Sequence, residues 1–296
     1  MNDESLNGIM ELNPEYEGPS SEKRLDYFER YIDSYLSVAG TNPFLKTVYF
    51  DAFAGSGSRR DPKSPLLQQL KFTPAEEIGY KGAAERILNL EKGFDYYYFV
   101  DDHQSLVKLK ERLAVVPGAE RKKMIFRPED CNLELDRFAD ALRSDEFSAL
   151  ILLDPLGFNI EWRSIERIPC NRSDLWLLLP TGVIVNKLLE HDGKLGDIAR
   201  LEPFFSLPEE AISAEFLCEE KNFSLFGEET VMEKINNSID QLAYLYVRLL
   251  KKNWTYVTDI PLMLRSSGNM PLCRLICASC SNPVFEISRM IIGDEP

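Results

Sequence analysis

The segment from Val48 to Gly57, which reads V-Y-F-D-A-F-A-G-S-G, constrains the fold of this chain more than any other. A short run of β-branched and aromatic residues is typical of a buried strand, and the small residues and glycines after it indicate a tight turn. An acid, Asp51, stands where the two parts join. A buried strand that leads into a glycine turn begins many nucleotide-binding α/β sheets, so the segment predicts a parallel sheet of that kind.

The spacing of the glycines separates two kinds of nucleotide-binding turn. A dinucleotide-binding turn has the pattern G-x-G-x-x-G, but Arg60 occupies the third glycine position after Gly55 and Gly57, which disfavours an NAD-type oxidoreductase. The remaining order, an acid, three residues and then G-x-G, resembles the first motif of Rossmann-like S-adenosylmethionine (SAM) methyltransferases. That resemblance implies that Asp51 lies near the amino-acid end of the cofactor. The cofactor-binding loop then comprises Phe53, Gly55 and Gly57.

Strand and helix patterns alternate along most of the chain, which predicts successive strand–helix units. After the first strand, strand patterns occupy residues 96–100, 124–126, 149–153, 174–179, 254–264 and 272–278. Helical patterns occupy residues 21–39, 83–90, 105–113, 133–142, 165–168 and 235–250. The predicted fold class is therefore α/β: a Rossmann-like SAM-dependent methyltransferase fold, with a mainly parallel seven-stranded sheet and a C-terminal antiparallel hairpin.

Acids follow the second and third predicted strands, at the sheet edge where ligands bind. Asp101 is the candidate for accepting hydrogen bonds from ribose hydroxyls, whereas the adjacent Asp102 can cap the next helix. Asp130 falls where this fold commonly presents a side chain to the adenine amino group. It can equally cap the helix that follows, and the two roles are compatible. We assign Asp130 and the adjacent Cys131 to cofactor binding.

The fourth predicted strand ends in D-P-L-G-F, residues 154–158. Amino-group methyltransferases carry an acidic or amide residue at this point, followed by Pro-Pro and an aromatic, and accept hydrogen bonds there from the target amine. By this resemblance Asp154 and Pro155 are the candidate catalytic residues. Leu156 and Gly157 replace the second proline and the aromatic, so a simple turn at the end of the strand is the alternative interpretation.

Three of the six cysteines, Cys273, Cys277 and Cys280, have the C-x3-C-x2-C spacing by which radical SAM enzymes hold an iron–sulfur cluster. They lie in the apolar run L-C-R-L-I-C-A-S-C, which predicts a strand. In a strand, Cys273 and Cys277 share one face and Cys280 lies on the other, so the three thiols would not converge. We expect them to pack as small apolar side chains and predict no metal site.

The charge of the chain limits its partners. With 34 basic and 48 acidic residues, the net charge of -14 opposes non-specific attraction to nucleic acid or to an anionic membrane surface. A small basic group at Arg121, Lys122, Lys123 and Arg127 leaves a local nucleic-acid groove open. The sequence has neither an apolar run of about 18 residues nor a secretory signal pattern, which predicts a cytoplasmic protein without membrane contact.

The domain organisation is predicted from composition. Residues 1–20 are polar and contain Pro14, Gly18 and Pro19, which indicates a flexible lead-in. Residues 21–296 are expected to form a single methyltransferase-like domain. Within it, the segment at about 181–230 is irregular and rich in glutamate and phenylalanine. We expect an insertion there, either a helical cap over the substrate side or a partner surface.

The motifs, taken together and in order, resemble the three-Cys-motif partner proteins (TcmP). The matching stretches are Y-F-D-A-F-A-G-S-G at 49–57, S-P-L at 64–66, F-V-D at 99–101, D-C-N at 130–132, L-L-D-P-L-G-F at 152–158 with Trp162, and L-I-C-A-S at 275–279. The resemblance runs from about Ser21 to Ile292. It implies a SAM-methyltransferase-like Rossmann domain that binds SAM, and a protein partner, a radical-SAM-like protein with a three-cysteine motif.

Two functions from different classes follow from this reading. The first is a SAM-dependent methyltransferase that acts on an amine or another nucleophile beside Asp154, with nucleic acid slightly preferred as the substrate although the net charge does not support it. The second is a non-catalytic partner of the three-Cys-motif protein that keeps the fold. The irregular segment at 181–230 and the altered D-P-L-G-F motif favour the second function.

Overall fold

The computed structural model of the protein describes residues 21–42, 44–57, 83–155, 158–188, 195–224, 227–235, 237–265 and 271–293. The strands are β1 (Lys46–Asp51), β2 (Tyr96–Val100), β3 (Met124–Arg127), β4 (Phe147–Leu153), β5 (Ser173–Leu179), β6 (Leu217–Ser224), β7 (Gly227–Lys234), β8 (Tyr256–Val257), β9 (Leu262–Arg265) and β10 (Pro271–Ser279). The helices are α1 (Ser21–Ala39), α2 (Ala83–Leu88), α3 (His103–Ala114), α4 (Cys131–Leu142), α5 (Trp162–Glu166), α6 (Thr181–Leu188), α7 (Ile198–Phe205), α8 (Glu209–Phe216), α9 (Ser238–Leu250) and α10 (Asn282–Gly293).

A central, mostly parallel sheet organises the fold. Its strands lie in the order β3-β2-β1-β4-β5-β10-β8, and β9 also pairs with β10. Strands β1 to β5 are parallel to one another, and β1 is flanked by β2 on one side and β4 on the other. Strand order therefore reverses at β1, since the chain adds β2 and β3 on one side and β4 and β5 on the other. This architecture confirms the predicted α/β fold class.

The C-terminal part of the sheet is antiparallel, as predicted, but one expected strand is divided. β10 runs antiparallel to β5, β8 and β9. The single strand expected over 254–264 is two short strands, β8 and β9, which together bring the described sheet to eight strands. Pro261 lies between them and has no N–H to donate to a ladder, which accounts for the break. Residues 266–270, which link β9 to β10, lie outside the described residues.

Helices cover both faces of the sheet. On one face, apolar residues of α1, α2, α3 and α10 pack on alternate strand residues such as Tyr49, Leu150 and Trp176. On the other face, α4 to α9 pack on the intervening residues, such as Phe50 and Ile151. This alternation is the two-residue period of a strand buried on both faces, which explains why the strands read as continuous apolar runs.

The segment predicted as irregular at about 181–230 contains regular elements. Helices α6, α7 and α8 are followed by the hairpin β6–β7, which forms a two-stranded sheet of its own. Phe204 and Phe205 are buried against Tyr246 of α9, and Phe216 is buried against Phe205. The predicted start of α9 at residue 235 is wrong by three residues, since residues 227–234 form β7.

The cysteines of the apolar C-terminal run face as the strand period predicts. Cys273 and Cys277 are buried in the layer that contains α1, whereas Cys280 packs against the opposite layer. The division between the two faces of β10 is therefore confirmed. Among the helices of the described ranges, none combines the length and the hydropathy needed to cross a bilayer. The predicted lead-in, residues 1–20, lies outside the described residues.

Candidate functional site

Three acids meet at the carboxyl edge of the central sheet. Asp51 is the last residue of β1, Asp101 directly follows β2, and Asp154 directly follows β4. In the β1–β4 register Asp51 lies opposite Leu152, so Asp154 stands only two residues further along. Ligands of open parallel sheets bind outside the carboxyl ends of the strands, where strand order reverses. These acids occupy that crevice.

The glycine loop after β1 is fastened to both neighbouring strands. Ala52 donates its N–H to Leu152 O of β4 at 3.1 Å, and Ala54 donates to Val100 O of β2 at 3.0 Å. Gly55 and Gly57 have φ angles of 62° and 69°, a conformation that residues with a Cβ rarely adopt. The loop therefore requires glycine at the two positions that define the G-x-G motif.

Helix α3 packs closely against Gly57. A Cβ at this position would stand 3.1 Å from Arg112 Cδ and 3.1 Å from Leu109 Cδ1. Arg112 is itself paired with Glu85 of α2, at 3.2 Å. The glycine thus serves both the backbone conformation of the loop and the approach of the helix.

Asp101 holds the glycine loop in place. Its Oδ2 accepts the N–H of Gly55 at 2.8 Å, and its Oδ1 accepts the N–H of Asp102 at 2.7 Å. Burial raises the pKa of Asp101. Asp102 caps α3 by accepting the N–H groups of Gln104 and Ser105, at 2.9 and 3.0 Å. The two neighbouring acids therefore have different tasks, and Asp101 is the one that contacts the loop.

Asp51 is buried beneath the loop. Its Oδ1 accepts the N–H of Phe53 and its Oδ2 accepts the hydroxyl of Tyr49, both at 3.2 Å. Burial raises the pKa of Asp51 to about 7, against the hydrogen bonds from Phe53 and Tyr49, and the charge of Asp101 adds to the rise. Asp154, which is 1% exposed, lies close enough for its charge to raise the pKa of Tyr49 as well. Tyr49 thus donates a hydrogen bond to Asp51, and its pKa is also raised by the charge of Asp154.

The electrostatics of the crevice favour a positively charged ligand. Within the described ranges, the groups that shift the pKa of Asp51 are two hydrogen-bond donors and the carboxylate of Asp101, without a cation. Several carboxylates in a largely buried pocket repel one another and gain from a cationic partner. A ligand with an ammonium or sulfonium group therefore fits better than one with phosphates.

The third acid motif, D-C-N at 130–132, begins α4. Asp130 caps the helix, since its Oδ1 accepts the N–H groups of Asn132 and Leu133 at 2.9 and 3.2 Å. Its other oxygen has no partner among the described residues, so the predicted adenine contact is compatible with the cap. The Cys131 thiol donates to Asn159 O at 3.3 Å, and burial raises its pKa to about 12. The side chain of Cys131 is therefore a protonated packing group, and its contact with a cofactor stays a prediction.

Asn132 has a role that sequence reasoning missed. Its side-chain amide donates to Asn159 O at 3.0 Å, and its carbonyl accepts the N–H of Glu161 at 2.8 Å. These two bonds anchor the chain after the D-P-L-G-F motif to α4. The sequence did carry a signal for this role: Asn132 is polar, yet it occupies a position of α4 that the helical pattern places against the sheet. Pro155 is buried beside Asp154, and residues 156 and 157 lie outside the described ranges.

Comparison with known proteins gives fold-level similarities alone. No family model and no curated protein matches the chain. Among solved structures, protein LPL1258 from Legionella pneumophila str. Philadelphia 1, of family DUF519, is 14% identical with a TM-score of 0.38, over 78% of this chain and 90% of that one. The glycopeptide N-methyltransferase MtfA, complexed with (S)-adenosyl-L-homocysteine, is 13% identical with a TM-score of 0.34, over 93% and 95%. A shared fold does not by itself determine function, which depends on the residues of the site.

Proposed function

We propose that this protein binds SAM at the carboxyl edge of its sheet and transfers the methyl group to an amine-type nitrogen beside Asp154. The observation that carries the proposal is the bond from Gly55 N–H to Asp101 Oδ2 at the point where strand order reverses. It fixes a glycine loop in a crevice that also contains Asp51 and Asp154. SAM carries a sulfonium and an ammonium group, so its charge suits these carboxylates.

The residues present fit the parts of this cofactor. The positive φ angles of Gly55 and Gly57 allow the loop backbone to approach a ligand closely. Each carboxylate oxygen of Asp101 has a second lone pair after accepting one N–H, and these lone pairs would accept the ribose hydroxyls. Asp51 would face the ammonium group. Adenine would lie near Asp130 and the backbone of Cys131, at the start of α4.

When bound, SAM supplies a methyl group on a positively charged sulfur, which is already a reactive electrophile. The protein then has to orient the acceptor and exclude water. Asp154 is 1% exposed and would accept a hydrogen bond from the acceptor nitrogen, directing its lone pair toward the methyl group. The carbonyl of Pro155 would accept a second bond from the same nitrogen.

The carboxylates also influence which class of methyl acceptor the site would bind. Sequence reasoning slightly preferred nucleic acid, but a phosphate-rich acceptor would meet Asp51, Asp101 and Asp154 at the site and a net charge of -14 overall. A neutral or cationic acceptor is the better electrostatic match. We therefore favour an amine on a molecule without phosphates.

Titration calorimetry of the purified protein with SAM and, separately, with NAD tests the cofactor. We expect SAM to bind with a Kd on the order of micromolar and NAD not to bind. Asp154→Ala should keep SAM affinity and abolish methyl transfer, because Asp154 acts on the acceptor. Asp259→Ala, at an exposed site paired with Lys251, is the matched control. Absence of SAM binding, or binding of NAD, would contradict the proposal.

One observation favours a second function, in which the protein binds a three-Cys-motif partner without catalysing a reaction. The hairpin β6–β7 stands apart from the central sheet as a two-stranded sheet, and such hairpins are marginally stable in water unless they pack against something. Replacing residues 217–234 by a short linker should then abolish co-purification with a co-expressed three-Cys-motif protein and leave SAM affinity unchanged. Co-purification that survives the replacement would reject the hairpin as the contact.

A further inference from the structure

Two half-buried cysteines, Cys170 and Cys280, pack against the layer of the core that contains α4 to α9. Cys170 begins a short 3₁₀ helix, Cys170–Arg172, which leads into β5. Cys280 is the residue directly after β10. Because β10 runs antiparallel to β5, its last residues lie beside the start of β5. The fold therefore brings both cysteines to one face of the sheet, at the amino end of β5.

Strand pairing places the two cysteines around a common neighbour, Ser173. In the register of β10 and β5, Ala278 lies opposite Leu175, so Cys280 lies opposite Ser173, two residues further along. The Ser173 hydroxyl donates to Pro169 O at 2.8 Å. This bond closes the turn that contains the first cysteine of the pair. Both cysteines therefore lie next to the same residue.

The two thiols interact directly. Burial raises the pKa of Cys170 to about 11, and a hydrogen bond with the Cys280 thiol and the charge of that thiol add to the rise. Cys280 Sγ also accepts the hydroxyl of Thr255 at 3.8 Å. Cys170 is thus the thiol that keeps its proton at neutral pH, and Cys280 is the sulfur that accepts hydrogen bonds.

We infer that Cys170 and Cys280 form a site of reversible oxidation, at which a small disulfide such as oxidised glutathione converts the two thiols into an intramolecular disulfide. Their partial exposure admits the oxidant, whereas Cys131, Cys273 and Cys277 are buried. The inference does not depend on the proposed function, because the pair lies at the end of β5 opposite the crevice.

The reaction proceeds by two thiol–disulfide exchanges. The Cys280 thiolate attacks one sulfur of oxidised glutathione, which forms a mixed disulfide and releases the first glutathione. Cys170 then loses its proton and attacks the Cys280 sulfur, which forms the protein disulfide and releases the second glutathione. The two cysteines are oxidised, and oxidised glutathione is reduced to two thiols that take up the two protons. An excess of reduced glutathione reverses both steps.

The disulfide would join the segment before β5 to the end of β10. A bridge that closes a long loop stabilises a fold by restricting the unfolded chain. We expect the oxidised protein to have a Tm roughly 5 °C above that of the reduced protein. SAM affinity should be equal in the two forms, since the bridge is remote from the glycine loop.

Mass spectrometry after treatment with oxidised glutathione tests the site. The parent protein carries Cys218→Ser, because Cys218 is exposed and would form adducts of its own. The folded protein is oxidised, its remaining thiols are alkylated, and only then is it denatured and digested. We expect the parent to lose two hydrogen atoms, to retain no glutathione, and to yield a peptide pair cross-linked between Cys170 and Cys280.

Two matched variants of the parent separate the roles of the two thiols. Cys170→Ser should retain one glutathione on Cys280, because the thiol that resolves the mixed disulfide is absent. Cys280→Ser should remain unmodified, because the protonated thiol of Cys170 is a poor nucleophile. An adduct on Cys170 in the second variant, at the rate seen in the first, would overturn the assignment of Cys280 as the attacking thiol.

The parent protein alone can overturn the inference, whatever the variants do. Glutathione adducts at both cysteines, at neither, or a cross-link that involves another cysteine would each reject the pair. A lower Tm after oxidation would reject it as well, because the bridge would then form only by distorting the fold. Calorimetry with SAM on the reduced protein is a separate measurement, so failure of the proposed function leaves this result unaffected.

Discussion

The carboxylate of Asp101 accepts the backbone N–H of Gly55 at 2.8 Å, across 46 positions of sequence. This bond joins the end of β2 to the glycine loop after β1, so an acid assigned to cofactor binding also shapes the loop that would hold the cofactor. The loop is organised before any ligand arrives, which reduces the ordering cost of binding.

Substitution of Asp101 should separate its two roles. Asp101→Ala removes the acceptor for Gly55 and the ribose contact, so we expect the SAM Kd to rise about 100-fold, while Asp101→Asn retains one acceptor and should raise it about tenfold. Calorimetry measures both affinities, and hydrogen exchange at Gly55 N–H should quicken in Asp101→Ala. Asp102→Ala is the control: it removes a helix cap, costs about 1 kcal/mol of stability and should leave SAM affinity unchanged. Equal losses of affinity at both positions would contradict the assignment.

Gly57 should tolerate no side chain, because both its backbone and its surroundings oppose one. Gly57→Ala would place a residue with a Cβ at φ 69°, with two side-chain atoms of α3 at 3.1 Å. Gly118→Ala is a matched control, since Gly118 has φ 80° but nothing within 4 Å of its added Cβ. Each change costs roughly 1 kcal/mol of backbone strain, measured by denaturation. SAM affinity should fall more than tenfold in Gly57→Ala and stay unchanged in Gly118→Ala. An equal fall in both variants would show that crowding between residue 57 and α3 does not affect SAM binding.

The affinity for SAM should increase with pH through neutrality. Burial raises the pKa of Asp51 to about 7, so this carboxyl is largely protonated below that pH and gains no charge attraction to an ammonium group. We expect affinity to fall up to tenfold for each pH unit below about 7. Burial also raises the pKa of Asp101, and the charge of Asp154 acts on Tyr49, which contacts Asp51. Asp51→Asn therefore isolates the effect of Asp51, and its profile should be flatter than that of the wild-type protein.

Tyr49→Phe should move the same pH profile. The Tyr49 hydroxyl donates to Asp51 Oδ2 and so lowers the pKa of that carboxyl. Without it the pKa of Asp51 rises, and the midpoint of the affinity profile should shift to higher pH. A variant that keeps the wild-type midpoint would show that Tyr49 only packs in the core.

The sequence was sufficient for features that depend on local pattern. The glycine spacing and the acid at each strand end predicted the crevice, because those acids lie within a few residues of a recognisable strand. The β6–β7 hairpin was missed, since its strands carry many glutamates and lack the apolar alternation by which strands are recognised. Apolar content predicted one continuous strand over 254–264, but Pro261 divides it into β8 and β9.

Contacts between distant residues explain the rest of what sequence reasoning missed. Asn132 reads as an ordinary polar residue near a helix start, and its role depends on where residues 159 and 161 return in space. The same holds for Arg274, which lies opposite Leu179 because β5 pairs with β10. Strand pairing of this kind has no local signature.

Asn132→Leu should loosen the chain after Asp154 without affecting the cofactor. The two bonds from Asn132 to Asn159 and Glu161 are lost, which costs about 2 kcal/mol. We expect faster hydrogen exchange at Glu161 N–H and about tenfold slower methyl transfer, at unchanged SAM affinity. Asn253→Leu, which removes a similar bond to Glu166 O at an exposed site, is the control. Unchanged exchange at Glu161 would show that the chain is held by other contacts.

A buried acid at the opposite edge of the sheet should make the stability of the protein depend on pH. Asp174, near the amino end of β5, accepts hydroxyls from Tyr31 at 2.8 Å and Ser279 at 2.7 Å. Burial raises the pKa of Asp174 from 3.8 to about 6, against these two bonds. The folded protein therefore holds this proton more tightly than the unfolded chain. Asp174 therefore stabilises the folded protein at low pH. Its contribution to the free energy of unfolding declines as pH rises from about 4 to about 6.

Above pH 6 the ionised carboxylate costs roughly 3 kcal/mol relative to pH 4. Asp174→Asn removes this titration, because an amide keeps its neutral form, and its Nδ2 can donate to the Ser279 hydroxyl. Urea denaturation from pH 4 to 7.5 should show that the free energy of unfolding of the variant, relative to wild type, increases by about that amount across the range. A constant difference between the two proteins would mean that Asp174 ionises as readily in the fold as in water, with Tyr31 and Ser279 fully compensating its burial.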